Sequence, residues 1–319
     1  MKFGSAGAAI EVSSGRTLNF TGTITDTTYG GISHLTKTGT GTLALAGANA
    51  YSGATSIQSG TVLVEGSISA ASPVSLAPGA TLGGSGTVGG PTALDGTHRP
   101  GNGVGTQSFG GTLGYGSSSV LRWELGANGT DAGSHDRVSV AGAVTIANGA
   151  RVDVVLNGAG SSVALDDPFW SQPRSWTFLS GASVTGAFRL GTVSADPSGR
   201  SLDDYGTLSI HHQATSSILS YIPHTPHERW LRTHFGDDWD KPAVAGDAVD
   251  GDGDGACNLL ERATGGDPMV FESDLLPVLD ETAPLLSIVY RRAVGTDDLD
   301  LRVTESADPA SAWIPASGT

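Results

Sequence analysis

The sequence predicts a mainly β chain wound as a solenoid of stacked coils. From about Ile10 to Ile222 apolar residues alternate with polar ones in short runs, the two-residue period of a strand with one buried face. Gly, Ser, Asn or Pro separates these runs, and almost nothing has helical spacing. The turn signals recur at roughly twenty residues, the period at which a β-helix stacks single coils. A lone coil cannot bury its apolar face, so neighbours must stack. The 47 glycines and 6% aromatic residues among 319 also point away from an ordinary helical enzyme.

The first runs are Thr42–Ala46, Thr61–Glu65 and Val74–Leu76; Val120–Leu125, Val138–Val140 and Val152–Leu156 follow, each expected to bury one face. Residues 35–66 read LTKTGTGTLALAGANAYSGATSIQSGTVLVEG. This stretch resembles the passenger-associated transport repeat of autotransporters, through Thr36, Lys37, Gly39, Gly41, Thr42, Leu43, Leu45, Gly47, Asn49, Tyr51, Gly53, Thr55, Ile57, Gly60 and Thr61. The resemblance implies a right-handed parallel β-helix in a secreted or cell-surface bacterial protein, and by itself no activity. Leu43, Leu45, Ile57, Val62 and Val64 are expected to point inward, with glycines at the corners. Downstream, LAPGATLGGSGTVGG, the stretch from His98 to Thr130 and DPFWSQPRSWTFLSG look like the rungs that close such arrays. Trp123, Phe169, Trp170 and Trp176 fall there. They are expected to seal the solenoid end, the other use of such rings being a sugar-binding platform.

After Ile222 the pattern changes. Thr225-Pro-His-Glu228 is a capping box with proline at the first helical position, predicting a helix from Pro226 to about Phe235. Seven aspartates lie between Asp237 and Asp254. The run ends in DGDGDGACNLLE, Asp250 to Glu261, which places oxygen-bearing side chains at positions one, three, five, nine and twelve of an EF-hand-type loop, with glycine at six. Calcium takes six to eight oxygens. Asp250, Asp252 and Asp254 can each supply one, Ala256 its backbone carbonyl, Asn258 a contact through water and Glu261 a bidentate carboxylate. The lone cysteine, Cys257, sits where a small core-filling residue is expected. An exit helix should run from Asn258 to about Thr264 and end at Gly265-Gly266. The segment from Phe235 to Pro268 resembles single-loop calcium modules of secreted bacterial proteins and, distantly, a dockerin half. Leu286–Arg291 and Leu299–Val303 alternate like two strands joined by a turn at Gly295, the start of an incomplete β-sandwich-like tail. The expected organisation is thus a parallel β-helix over 1–222, a helix–loop–helix calcium module over 223–270 and the tail over 271–319.

Function follows from this organisation. The net charge of −15 argues against nucleic acid, whose phosphates require a basic stripe. One cysteine excludes an intramolecular disulfide framework, and no segment reads as a membrane-spanning helix. The amino terminus lacks the apolar run of a signal peptide, so an export signal is expected upstream of an extracellular or cell-surface protein. The leading expectation is a non-catalytic stalk or passenger segment with a calcium-stabilised hinge. An adhesin or glycan-binding module, with a cell-surface glycan or matrix as partner, is the alternative. A polysaccharide lyase or hydrolase is disfavoured, because Glu65, Asp95, Glu124, Asp131, Asp136 and Asp153 look isolated and solvated rather than paired across a groove. His211 and His212 should face opposite sides of a strand, and His224, His227 and His234 have no evident partner for a transition-metal site.

Overall fold

The structure is a computed structural model that describes residues 7–26, 31–280 and 287–301, together with the strand residues 304–305 and 314–315. The chain forms two compact units, Met1–Pro223 and His224–Thr319.

The first unit is a stack of coils whose strands build three sheets, consistent with a parallel β-helix. The first sheet runs from Ala8–Glu11 to Ser183–Gly186 and the second from Thr17–Phe20 to Arg189–Val193. The third runs from Ala48–Asn49 to Arg174–Ser180 and ends in an antiparallel hairpin, Gly206–His212 and Ser216–Pro223. Because parallel coils keep their register, identical positions pile into rows. In the second sheet Leu43, Val62, Leu82, His98, Leu121 and Val152 form one such row, and every member is fully buried. Leu45, Ile57 and Val64 are buried as well, so the inward set expected from the repeat is the core. Each such aliphatic side chain contributes about 1.5–3 kcal/mol on leaving water.

Polar residues enter this core where their bonds bridge coils. Lys37 occupies an inward row with Ile57 and Leu76. Its Nζ donates to the carbonyls of Thr38 (2.7 Å), Gly39 (2.8 Å) and Ser59 (3.2 Å), and burial lowers its pKa. The corner it braces needs Gly39, whose φ is 72° and where a Cβ would come 2.4 Å from the Val12 carbonyl oxygen. Asn49 links coils similarly: its Nδ2 donates to the Gly47 and Ser67 carbonyls while its Oδ1 accepts from the Ile24 amide. His98, not singled out by the sequence, bonds Tyr115 (2.7 Å) and Gln107 (2.8 Å) inside the core, and burial lowers its pKa to about 4.

Long insertions at residues 126–134 and 157–173 both leave the second sheet before the third. Trp170 of the second insertion packs inward beside Trp123 and Trp176 of the flanking strands Val120–Glu124 and Arg174–Ser180, the three being 3%, 1% and 1% exposed. The three indole N–H groups donate to the Asp136 carbonyl, the Asn128 Oδ1 and the Gly129 carbonyl. Arg174 covers Phe169 at 4.2 Å. These rings fill the enlarged coils and their indole faces offer no platform for a sugar. At the last coil the hairpin turn accepts the Gly181 and Val184 amides at Thr215 and Ala214, occupying backbone that would otherwise form an open edge.

Two of the acids expected at the surface are buried instead. Glu124 is 2% exposed and Asp136 fully buried. The Asp136 carboxylate accepts from the Gly105 and Glu124 amides, and its pKa is pushed up to about 8, chiefly by burial. The reason is the insertion between them, which folds Leu125 back onto His135 and turns both acids inward. Glu124 approaches Arg99 at 3.7 Å.

In the second unit α1 (Pro226–Phe235) begins at Thr225 with both bonds of the capping box, the Glu228 amide donating to Thr225 Oγ1 and the Thr225 amide to Glu228 Oε2. A single turn, α2 (Pro242–Ala245), follows, then α3 (Asn258–Thr264), which ends at Gly265 in the left-handed conformation. The tail differs from expectation. Ser287–Val289 pairs antiparallel with Val278–Asp280, and Leu299–Leu301 is not a strand. The turn at Gly295 is present, but anchoring to α3 holds the residues on both sides of it: Ala293 donates to the Ala263 carbonyl and Arg262 binds Asp298. Leu286, Arg302, Val303 and Trp313 lie outside the described residues.

Two substitutions probe the core. Lys37→Met keeps the stem but orphans the braced carbonyls, and should lower the unfolding free energy by about 2–3 kcal/mol in denaturant titration; an unchanged midpoint would contradict the brace. For His98, the unfolded chain takes a proton near pH 6.5 and the folded chain only near 4. The folded state therefore loses stability as pH falls through that window, by up to about 3 kcal/mol. His98→Gln should remove this loss from the difference between the two proteins' stability–pH curves, and parallel curves would count against it.

Candidate metal centre

The loop after α2 is shaped by its own aspartates. Asp250 accepts from the Gly253 and Gly255 amides at 2.8 and 3.0 Å, Asp252 from the Asp254 amide at 3.1 Å, and Asp254 from the Ala256 amide at 2.7 Å. Gly253 and Gly255 take φ of 80° and 95°, values that L side chains rarely adopt. These turns gather Asp250, Asp252 and Asp254 so that one carboxylate oxygen of each lies within 4.8 Å of the others. Three like charges so close repel unless a cation lies among them.

Glu261 comes from the first turn of α3. It is fully buried, and neither of its carboxylate oxygens has a hydrogen-bond partner. Burial, then the charges of Asp252, Asp254 and Asp250, raise its pKa to about 7. One oxygen of Asp252 is likewise buried without a partner. A buried carboxylate normally gathers donors, as Asp136 does in the solenoid. Glu261 instead lies in the field of Asp252, Asp254 and Asp250, while the group whose oxygens gather within 4.8 Å is formed by those three aspartates alone. The donors are all oxygen, the set that suits a hard divalent ion rather than zinc or copper.

The remaining predicted ligands are placed as follows. Ala256 is fully buried at the loop's end. Asn258 is 1% exposed; its Nδ2 donates to the Val244 and Gly246 carbonyls, tying the loop's exit to α2, and its Oδ1 has no partner. Cys257 is only half-buried at the N-cap of α3, so Ala256 rather than Cys257 fills the space behind the loop. Asp247 of the acidic run pairs with His227 at 3.0 Å, and Asp238 with Lys241. The histidines do not converge: His234 bonds the Trp230 carbonyl, and among the described residues no other group of His, Cys, Asp and Glu gathers ligand atoms. Sequence reasoning missed Arg262 and Asp298, which meet behind α3 across 36 residues of chain and carry no local signal.

Residues 35–64 match the passenger-associated transport repeat. The matched segment holds Lys37, Asn49 and Tyr51, the polar residues that brace the second and third coils. No curated protein matches the chain in sequence. Among the described residues no helix is long and apolar enough to cross a membrane.

Glu261→Gln separates the charge from the shape of this centre. Without divalent ions the variant should melt at or above the wild-type temperature near pH 8, because one repelling charge is gone. With calcium at about one hundred times its Kd the wild type should gain about 2.7 kcal/mol and the variant much less. Equal calcium-induced shifts in a scanning calorimeter would remove Glu261 from the ligand set.

Proposed function

We propose that the chain is a non-catalytic structural segment of a secreted or cell-surface bacterial protein, a β-helical stalk of the passenger type that continues into a calcium-stabilised module. The observation that carries this reading is the passenger-type coil, set in register within a stack whose inward rows are closed by its own side chains. Asp136, the most perturbed acid of the solenoid, is held by backbone amides, which is the work of a structural carboxylate. The indoles that could have made a glycan platform are in the core, which weighs against the adhesin reading through those rings.

Calcium enters as a folding ligand. Neutralising Asp250, Asp252, Asp254 and Glu261 orders the loop and stabilises the folded state by mass action. Extracellular calcium modules have Kd values of roughly 10⁻⁴–10⁻³ M, adequate for a permanent structural ion outside a cell.

Two measurements test the reading. Thermal melts should rise with added calcium in the wild type and not in Asp254→Ala; identical melts with and without calcium in the wild type would defeat the structural ion. Incubation with neutral and acidic polysaccharides should release neither reducing ends nor unsaturated uronates. Turnover that disappears in Glu124→Gln would establish an enzyme instead.

A further inference from the structure

We propose that Arg262 and Asp298 are positioning residues of the calcium centre, so that filling the loop and seating the segment from Ala293 to Leu299 on α3 are one coupled event. The inference rests on the calcium reading above and adds a part of the chain that the loop motif does not contain.

The coupling has a continuous physical route. Glu261 offers its side chain to the loop, and its carbonyl accepts the Gly265 and Gly266 amides at 2.7 and 2.8 Å, closing the end of α3. The next residue, Arg262, is 2% exposed, and its Nη2 reaches both oxygens of Asp298 at 2.7 and 2.6 Å. The bond from Arg262 holds the Asp298 pKa below its ordinary value. One residue further, the Ala263 carbonyl accepts the Ala293 amide at 2.8 Å. Between these anchors the segment is pinned by its own bonds, Thr296 Oγ1 to the Ala293 carbonyl and the Leu299 amide to the Thr296 carbonyl, and Thr296 is buried.

Three consecutive residues of one short helix thus face two tasks: Glu261 serves the loop, Arg262 and Ala263 the distant segment. On the other side, Asp254 accepts the Glu272 amide at 3.1 Å, so a loop ligand also holds the chain that leads toward that segment. A helix of seven residues is too short to be stable alone. Its rotation is set by what holds both faces, so a cation drawing Glu261 toward the aspartates also fixes the direction in which Arg262 presents its guanidinium. A buried guanidinium without its carboxylate is costly, which makes the two states of the segment unequal in energy. By linkage, whatever calcium contributes to seating the segment, the seated segment returns as calcium affinity.

The experiment uses the full chain, titrated calorimetrically with calcium chloride and followed by amide exchange with and without the metal. In the wild type, calcium should slow exchange at Ala293 and Leu299 as well as in the loop. Asp298→Asn, which keeps size and removes the charge at a partly exposed position, should weaken calcium binding about 5-fold or more and abolish the calcium-dependent protection at Ala293. Asp298→Glu should recover part of both. A merely structural ion pair would lower the melting temperature equally with and without calcium, so equal losses would overturn the proposal. Calcium binding that leaves exchange at Ala293 unchanged in the wild type would also overturn it while sparing the calcium centre. No binding heat, with no calcium-dependent change in the melt or in loop exchange, would remove the centre and the coupling together.

Discussion

A parallel β-coil cannot complete its own backbone hydrogen bonds, because its N–H and C=O groups lie in the sheet plane and point to the coils before and after it. Everything in the first unit follows from that dependence. Coils must hold register, register builds rows, and rows make the core. The row through Leu43, Val62, Leu82, His98, Leu121 and Val152 is continuous because a slip by one residue would turn every member outward. The same rule explains where polar groups are tolerated. Lys37 and Asn49 sit inside because each bonds at least two coils at once. It also explains where the chain can grow: insertions enter at a corner, where no ladder is broken, and Trp170 of one of them packs with the strand residues Trp123 and Trp176 to fill the added volume.

The second unit is organised by the opposite requirement, bringing like charges together. Glycine turns and aspartate–amide bonds hold three carboxylates in place, and Glu261 of α3 lies in their field, buried without a donor. The contrast between Asp136 and Glu261 is instructive. Both are buried acids with raised pKa, but Asp136 is surrounded by N–H groups and Glu261 by other acids. Burial raises the pKa of both. What separates them is whether the surroundings answer the charge.

The short helix α3 joins local chemistry to distant packing. Its N-terminal turn carries Glu261, its C-terminal cap leans on the Glu261 carbonyl, and Arg262 extends to Asp298. A helix this short has no stability of its own to spare, so its position is a compromise among the groups it contacts. That is the physical basis of the proposed coupling between ion binding and chain order.

By itself the sequence determined what nearest neighbours and short periods decide. Alternation and the passenger-type motif placed Leu43, Leu45, Ile57, Val62 and Val64 inside, and Thr225 and Glu228 marked the start of α1. The spacing of Asp250, Asp252 and Asp254 foretold their convergence. Only the tertiary structure decided which polar residues the core would take and which distant groups would meet. The burial of Glu124 and Asp136 depends on how an insertion folds back, the role of His98 on Gln107 of its own coil and Tyr115 of the next, and the fate of the tail on an arginine 36 residues away. Periodicity records which face of an element is apolar; it does not record which other element, separated by many residues, will supply the missing hydrogen bond or countercharge.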